Sequence, residues 1–120
     1  MVDTKKLDFK LNIMFASILI IVGGMFNLFA IVVNDGKMPV LIDYYFEGEM
    51  HRGFTSCDEI TYCYIADVLN IGNIYFSLGD IFITIGVMFV LFFYAKRIAE
   101  YYKFRKQFKK MKEHYDWDEK

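Results

Sequence analysis

The sequence has no glycine-rich phosphate loop, no nucleophile elbow and no paired-histidine motif. Its glycines are dispersed, and its two best-placed serines, Ser56 and Ser77, stand where helix caps belong. The common signatures of phosphoryl transfer, serine hydrolysis and zinc hydrolysis are therefore missing, and the chain reads as a non-enzyme without a cofactor. Cysteine and histidine occur only twice each. Cys57, Cys63 and His51 with nearby carboxylates have the right atoms for a metal, but their spacing matches no zinc pattern. Proline occurs once, at Pro39.

Charge is also missing where it matters most. From Ile13 to Val33 there is no charged side chain, and Asn27 is the only strongly polar one. A second uncharged run, Ile81 to Tyr94, is extended outward by Phe76 to Gly79 past a single acid, Asp80. About twenty helical residues cross a hydrocarbon core of about 30 Å, so both runs have the length to span a bilayer. Buried helices of a soluble domain would need cover on all sides, and the remaining residues are too few and too charged to supply it. The first run exceeds a usual signal-peptide core and no small-x-small cleavage site follows it, so it is expected to stay as an anchor.

Lysine and arginine are unevenly distributed. Lys5, Lys6 and Lys10 precede the first run, and Lys96, Arg97, Lys103, Arg105, Lys106, Lys109, Lys110, Lys112 and Lys120 follow the second. The segment between them has Lys37 and Arg52 against Asp35, Asp43, Glu47, Glu49, Asp58, Glu59 and Asp67. A formal net charge of −1 hides this separation. The positive-inside bias predicts a plasma-membrane protein with both termini in the cytoplasm and the acidic loop outside. The expected fold is an all-α membrane protein: an antiparallel hairpin of two transmembrane helices, a short extracytoplasmic amphipathic helix and a basic cytoplasmic helical extension.

Along the chain, residues 1–12 read as a cytoplasmic lead and 13–33 as the first span. Asn34-Asp35-Gly36 gives a polar turn, and Met38-Pro39 turns or extends the backbone. Val40 to Phe46 suits either a short strand or a segment at headgroup level, and Glu47 to Gly53 reads as loop. The acidic loop covers 34–75. Ser56-Cys57-Asp58-Glu59 has the form of a capping box, and Ile60, Tyr64 and Val68 at helical spacing predict a short helix near 57–70. Ser77-Leu78-Gly79-Asp80 repeats the capping form at the start of the second span, 76–95. Residues 96–120 form the basic extension, with Ile98, Tyr101, Phe104, Phe108, Met111 and Tyr115 at intervals of three and four, and an acidic end from Asp116.

Several residues stand out as candidates. Ala16, Gly23 and Ala30 are seven apart, as are Gly72, Gly79 and Gly86, and each set marks a stripe of small side chains along which helices approach closely. Asn27 and Asp80 are the polar groups near membrane depth. They suit an ion or proton site, or more simply an interhelical hydrogen bond and a helix cap. Cys57 and Cys63 would bridge in an oxidising exterior, whereas a helix starting at Ser56 would separate their sulfurs; either that helix begins after Tyr62 or the thiols stay free. Lys96, Arg97, Arg105 and Lys109, with Tyr101, Phe108 and Met111, can meet anionic lipid or a cytoplasmic protein, and specific nucleic-acid binding is not expected.

Asn34-Asp35-Gly36-Lys37-Met38-Pro39-Val40, together with Ala66-Asp67-Val68-Leu69, Phe76-Ser77-Leu78-Gly79-Asp80-Ile81 and Ile85-Gly86-Val87, resembles a family of bacterial inner-membrane proteins known only as a domain of unknown function. That family's pattern has an Asn-x-Gly-Lys/Arg-Met-Pro-Val turn and a Ser-x-Gly-Asp start to its last helix. The likeness covers about two thirds of the chain, by the residues just quoted. Members carry additional helices ahead of the turn, which are not in this chain. The resemblance implies a bacterial, Gram-positive-like source and a plasma-membrane location, and brings no activity with it.

The expected function is a non-catalytic accessory or assembly subunit that packs on other membrane helices as a homo- or hetero-oligomer. A self-assembling, holin-like pore is the alternative, and a subunit of an ion-coupled transporter using Asp80 is the third reading.

Overall fold

A computed structural model describes residues 4–115. The acidic end from Asp116 lies outside the described residues, as does Lys120. The molecule is mostly helical, with two long helices, α1 (Thr4–Val33) and α2 (Leu78–Tyr115). Each contains an 18-residue stretch apolar enough to cross a membrane. These stretches are not core helices of a globular domain, because their side chains are largely uncovered: Ile21 is 61 % exposed, Leu28 61 % and Leu91 65 %. α1 begins within the segment read as a cytoplasmic lead, so lead and first span form one continuous helix. α2 runs without a break through the basic extension, about 57 Å at the usual helical rise.

The helices meet where their side chains are smallest. Ala16 and Ala30 are fully buried, and Gly23, Gly79 and Gly86 are buried with them. A methyl group placed on Gly86 would come within 2.8 Å of the Ala16 carbonyl, and one on Gly23 within 2.9 Å of the Ile83 amide nitrogen. Phe9 meets Tyr94 edge to face at 5.5 Å nearer the other end of the pair. As residue numbers rise along α1 their partners' numbers fall along α2, so the helices run in opposite directions. Ala30 departs from the stripe's expected role, since it clusters with Met38 and Ile65 of the connecting segment. Gly72 lies off the stripe altogether. It turns a short hairpin with φ of 68°.

The connecting segment is where the structure departs most from an all-α expectation. It holds five short strands: β1 (Met38–Leu41), β2 (Phe46–Glu47), β3 (His51–Phe54), β4 (Leu69–Ile71) and β5 (Ile74–Phe76). β3 lies between β1, to which it is parallel, and β2, to which it is antiparallel. β4 and β5 form the separate antiparallel hairpin. Glu47 to Gly53, read as loop, thus supplies parts of two strands. Gly53 is required there because a side chain would run into the ring of Phe46 on the paired strand.

The α-helix expected near 57–70 is replaced by two single 3-10 turns, Cys57–Glu59 and Cys63–Ile65. The Ser56 hydroxyl accepts from the amide of Asp58, not from Glu59 as a capping box would require. Two long-range constraints account for this. Cys57 and Cys63 are joined by a disulfide with their α-carbons 5.4 Å apart, whereas six residues of α-helix rise about 9 Å. Asn34 also pins the middle of the bridged loop: its Oδ1 accepts from the Thr61 amide at 2.9 Å, and its Nδ2 donates to the Thr61 carbonyl at 3.0 Å and the Ala30 carbonyl at 2.8 Å. Buried polar groups are stable when so paired, and here the pairing fastens the connecting unit, residues 34–77, to the end of α1.

Candidate functional site

The ends of the two helices nearest the connecting segment carry a closed polar network. The Ser77 amide donates to Asp80 Oδ2 at 3.0 Å, and the Asp80 amide donates back to Ser77 Oγ at 3.2 Å, a reciprocal cap at the start of α2. Asn27 of α1 reaches across, donating through Nδ2 to Asp80 Oδ1 at 2.6 Å and accepting at Oδ1 from the Ser77 hydroxyl at 2.7 Å. Asp80 thus has a partner on each carboxylate oxygen. Gly79 is small because Asn27 occupies the space where a β-carbon would stand.

Asp67 lies beside this network and differs from it. Its backbone continues the sheet, with its amide donating to the Pro39 carbonyl at 3.0 Å and its carbonyl accepting from the Leu41 amide at 3.1 Å. Its side chain lines a cavity of about 170 Å³ between the connecting unit and the helix ends, shared with Asn27, Asp80 and His51. Asp67 is only 6 % exposed, and its Oδ1 has no hydrogen-bond partner. His51 Nε2 stands 3.9 Å from Oδ2, beyond hydrogen-bond reach. Burial, and secondarily the negative charge of Asp80, push the Asp67 carboxyl up to about 6. Among the described residues, no group of three or more His, Cys, Asp and Glu side chains is placed to hold a metal ion.

The two cations of the connecting unit, Lys37 and Arg52, are already engaged. Lys37 Nζ and Arg52 Nη2 lie 3.0 and 3.1 Å from Glu47 Oε1, and Arg52 Nη1 lies 3.2 Å from Asp35 Oδ2. Hydrogen bonding from Lys37 and then Arg52 holds the Glu47 carboxyl below its usual range. The cavity therefore faces two carboxylates with no lysine or arginine in its lining.

The basic residues of α2 fall into two groups. Lys96 and Arg97 stand beside α1, where they line a cavity of about 190 Å³ with Asp8, Asn12 and Glu100, and the Arg97 guanidinium lies over the Phe9 ring at 5.6 Å. Arg105 and Lys109 lie further along, on the exposed part of the helix with Tyr101, Phe108 and Met111. Arg105 covers the Tyr101 ring at 5.8 Å, and Lys109 faces Glu113 at 3.8 Å.

Residues 7–92 match the profile of a family of unknown function, DUF5317. The chain belongs to that family. No curated protein and no solved structure matches it. The matched region of this DUF5317 chain covers the helix contact, the connecting unit and the polar cluster, and stops before the basic extension.

Sequence reasoning singled out Asn27, Asp80 and the two cysteines, but not Asn34 or the cavity face of Asp67. Both left a trace. Asn34 is the first polar residue after an apolar helix, and Asp67 is a lone acid within Ile65-Ala66-Asp67-Val68-Leu69.

Proposed function

We propose that the chain is a non-catalytic accessory or assembly subunit of a membrane protein complex, an antiparallel two-span hairpin in the plasma membrane. Both termini are cytoplasmic on this reading, and the disulfide-braced unit faces out. Lipid covers the apolar faces that the helices leave open. The orientation is supported by the lysine and arginine bias and by the bridged cysteines, which suit an oxidising exterior.

One observation carries the assignment of an assembly role. The seam of α2 that contacts α1, through Gly79, Ile83, Gly86 and on to Arg97, continues at steps of three and four through Tyr101, Phe104, Phe108, Met111 and Tyr115. Along this continuation every residue is exposed. Six lysines and arginines flank it against the single acid Glu113 between residues 101 and 115. An apolar stripe with basic flanks fits an acidic amphipathic helix of a cytoplasmic partner better than a second copy, whose like charge would repel it. Lys96 and Arg97, nearer the bilayer, are placed to add about 1 kcal/mol each with anionic lipid.

The experiment is purification of the intact chain from its native membrane in mild detergent. A complex heavier than the monomer is expected, and Phe108→Glu with Met111→Glu should release the chain as a monomer with unchanged helix content. A wild-type chain that is strictly monomeric, or a complex indifferent to the double substitution, overturns the reading.

A further inference from the structure

The cavity at the outer mouth of the helix pair has a composition that the assembly reading does not use. Ile31, Met38 and Met50 give it apolar lining, while Asp67, Asp80 and His51 give it polar lining. Asp80 is held by two donors, but Asp67 is more than nine-tenths buried and its Oδ1 meets no donor. A buried carboxylate oxygen without a partner costs free energy unless a donor is supplied. The volume of about 170 Å³ is far more than one water needs. A bare metal ion suits the site poorly: both oxygens of Asp80 already have donors, and among the described residues Asp67, Asp80 and His51 do not converge as a group that could hold one.

We propose that this cavity is a binding site for a primary alkylammonium group, whose N–H donors meet Asp67 and whose aliphatic stem lies against Ile31, Met38 and Met50. Such a group matches both halves of the lining at once. The ammonium brings positive charge to two carboxylates, and the stem covers apolar surface as a lysine stem does. The same chemistry is offered by a free amine and by a lysine side chain of a polypeptide. Entry is from the exterior, at the rim where Met50 is 68 % exposed. The site lies at the opposite end of the molecule from the Tyr101 to Tyr115 seam, so it does not rest on the assembly reading and the two can fail separately.

The test uses the full chain in detergent micelles with 13C-methyl methionine, titrated with n-butylamine at constant ionic strength. The Met38 and Met50 methyl signals are expected to shift saturably while Met88 and Met111 stay still. Asp67→Asn should weaken the response at least tenfold. In the wild type, affinity at pH 5 should be about tenfold below that at pH 8, because Asp67 then carries a proton; His51, the other titratable neighbour besides Asp80, acts in the same direction once protonated. This second measurement needs no variant to fold. Nα-acetyl-lysine amide separates the sources: binding at least tenfold tighter than butylamine indicates a polypeptide lysine, and equal or weaker binding a free amine. Saturable shifts with calcium or magnesium chloride but not with butylamine overturn the proposal in favour of a metal. No saturable shift with any probe overturns it in favour of a water-filled cavity.

Discussion

Asn27 of α1 and Asp80 of α2 are joined by a 2.6 Å hydrogen bond across the helix ends nearest the connecting unit. The same amide accepts from the Ser77 hydroxyl, so one side chain of α1 holds both members of the cap that starts α2. Asn27→Ala leaves Asp80 Oδ1 without its donor and the Ser77 hydroxyl without its acceptor. A loss of about 1–2 kcal/mol is expected, toward the lower end of what an unsatisfied buried pair costs, because interhelical hydrogen bonds in bilayers are modest. Unfolding by SDS titration, followed by far-UV circular dichroism, measures it. Asn27→Ala at wild-type stability would show that the network does not hold the helices together.

Glycine at two positions separates helix packing from helix propensity. Gly86→Val would force a side chain against the Ala16 carbonyl and the Ile20 backbone, and should cost about 1–3 kcal/mol as overpacking. Nothing stands within 4 Å of the place a β-carbon would take on Gly24, one residue beyond the stripe. Gly24→Ala should therefore be neutral or gain up to about 1 kcal/mol of helix propensity. Equal effects at the two positions in the same SDS titration would contradict the close approach of α1 and α2.

These contrasts show what could be read from the sequence. Small residues seven apart and a Ser-x-x-Asp start are local or periodic signals, and a helix obeys them because its geometry repeats every turn. Ser56-Cys57-Asp58-Glu59 carries the same kind of signal but makes only a single 3-10 turn. The bridge to Cys63 and the hold of Asn34 on Thr61, 27 residues away, outweigh the local preference there. The strands were harder to read, since they are two to four residues long and β1 pairs in parallel with β3. Asp67 was hidden for the same reason: its burial follows from the pairing of Val40 with Asp67, which no local pattern announces.

The bridge between Cys57 and Cys63 closes a short loop, and loss of that constraint should cost about 2 kcal/mol on the chain-entropy account. The effect should be confined to the connecting unit, because α1 and α2 contact each other independently of it. Reduction, or Cys57→Ser with Cys63→Ser, is expected to speed proteolysis within residues 55–65 while leaving the SDS midpoint of the helices within about 0.5 kcal/mol of wild type. Intact mass before and after reduction and alkylation checks the bridge directly, since two alkylated sites should appear only after reduction. Loss of helix content on reduction would mean that the bridge supports the whole molecule.

The carboxyl of Asp67 makes stability depend on pH in an unusual direction for an acid. Burial and the neighbouring Asp80 charge push this carboxyl up to about 6 in the folded chain, against 3.8 for an aspartate side chain in water. Between about pH 4 and pH 6 the folded chain therefore holds a proton that the unfolded chain has lost. Stability contributed by the protonated form is complete below about pH 4 and is lost as pH rises through about 6. The two-unit difference corresponds to about 2–3 kcal/mol, with burial the larger cause and Asp80 the smaller. Asp67→Asn removes this dependence, so the variant should gain on the wild type by about that amount between pH 4 and pH 7. His51 and Asp80 also face the group, and repeating the series in His51→Gln separates the imidazole's contribution. Thermal melts of the connecting unit's near-UV signal across pH 4–8 provide the measurement. A wild-type curve that is flat over this window, or that rises with pH, would mean that Asp67 finds a donor in solution.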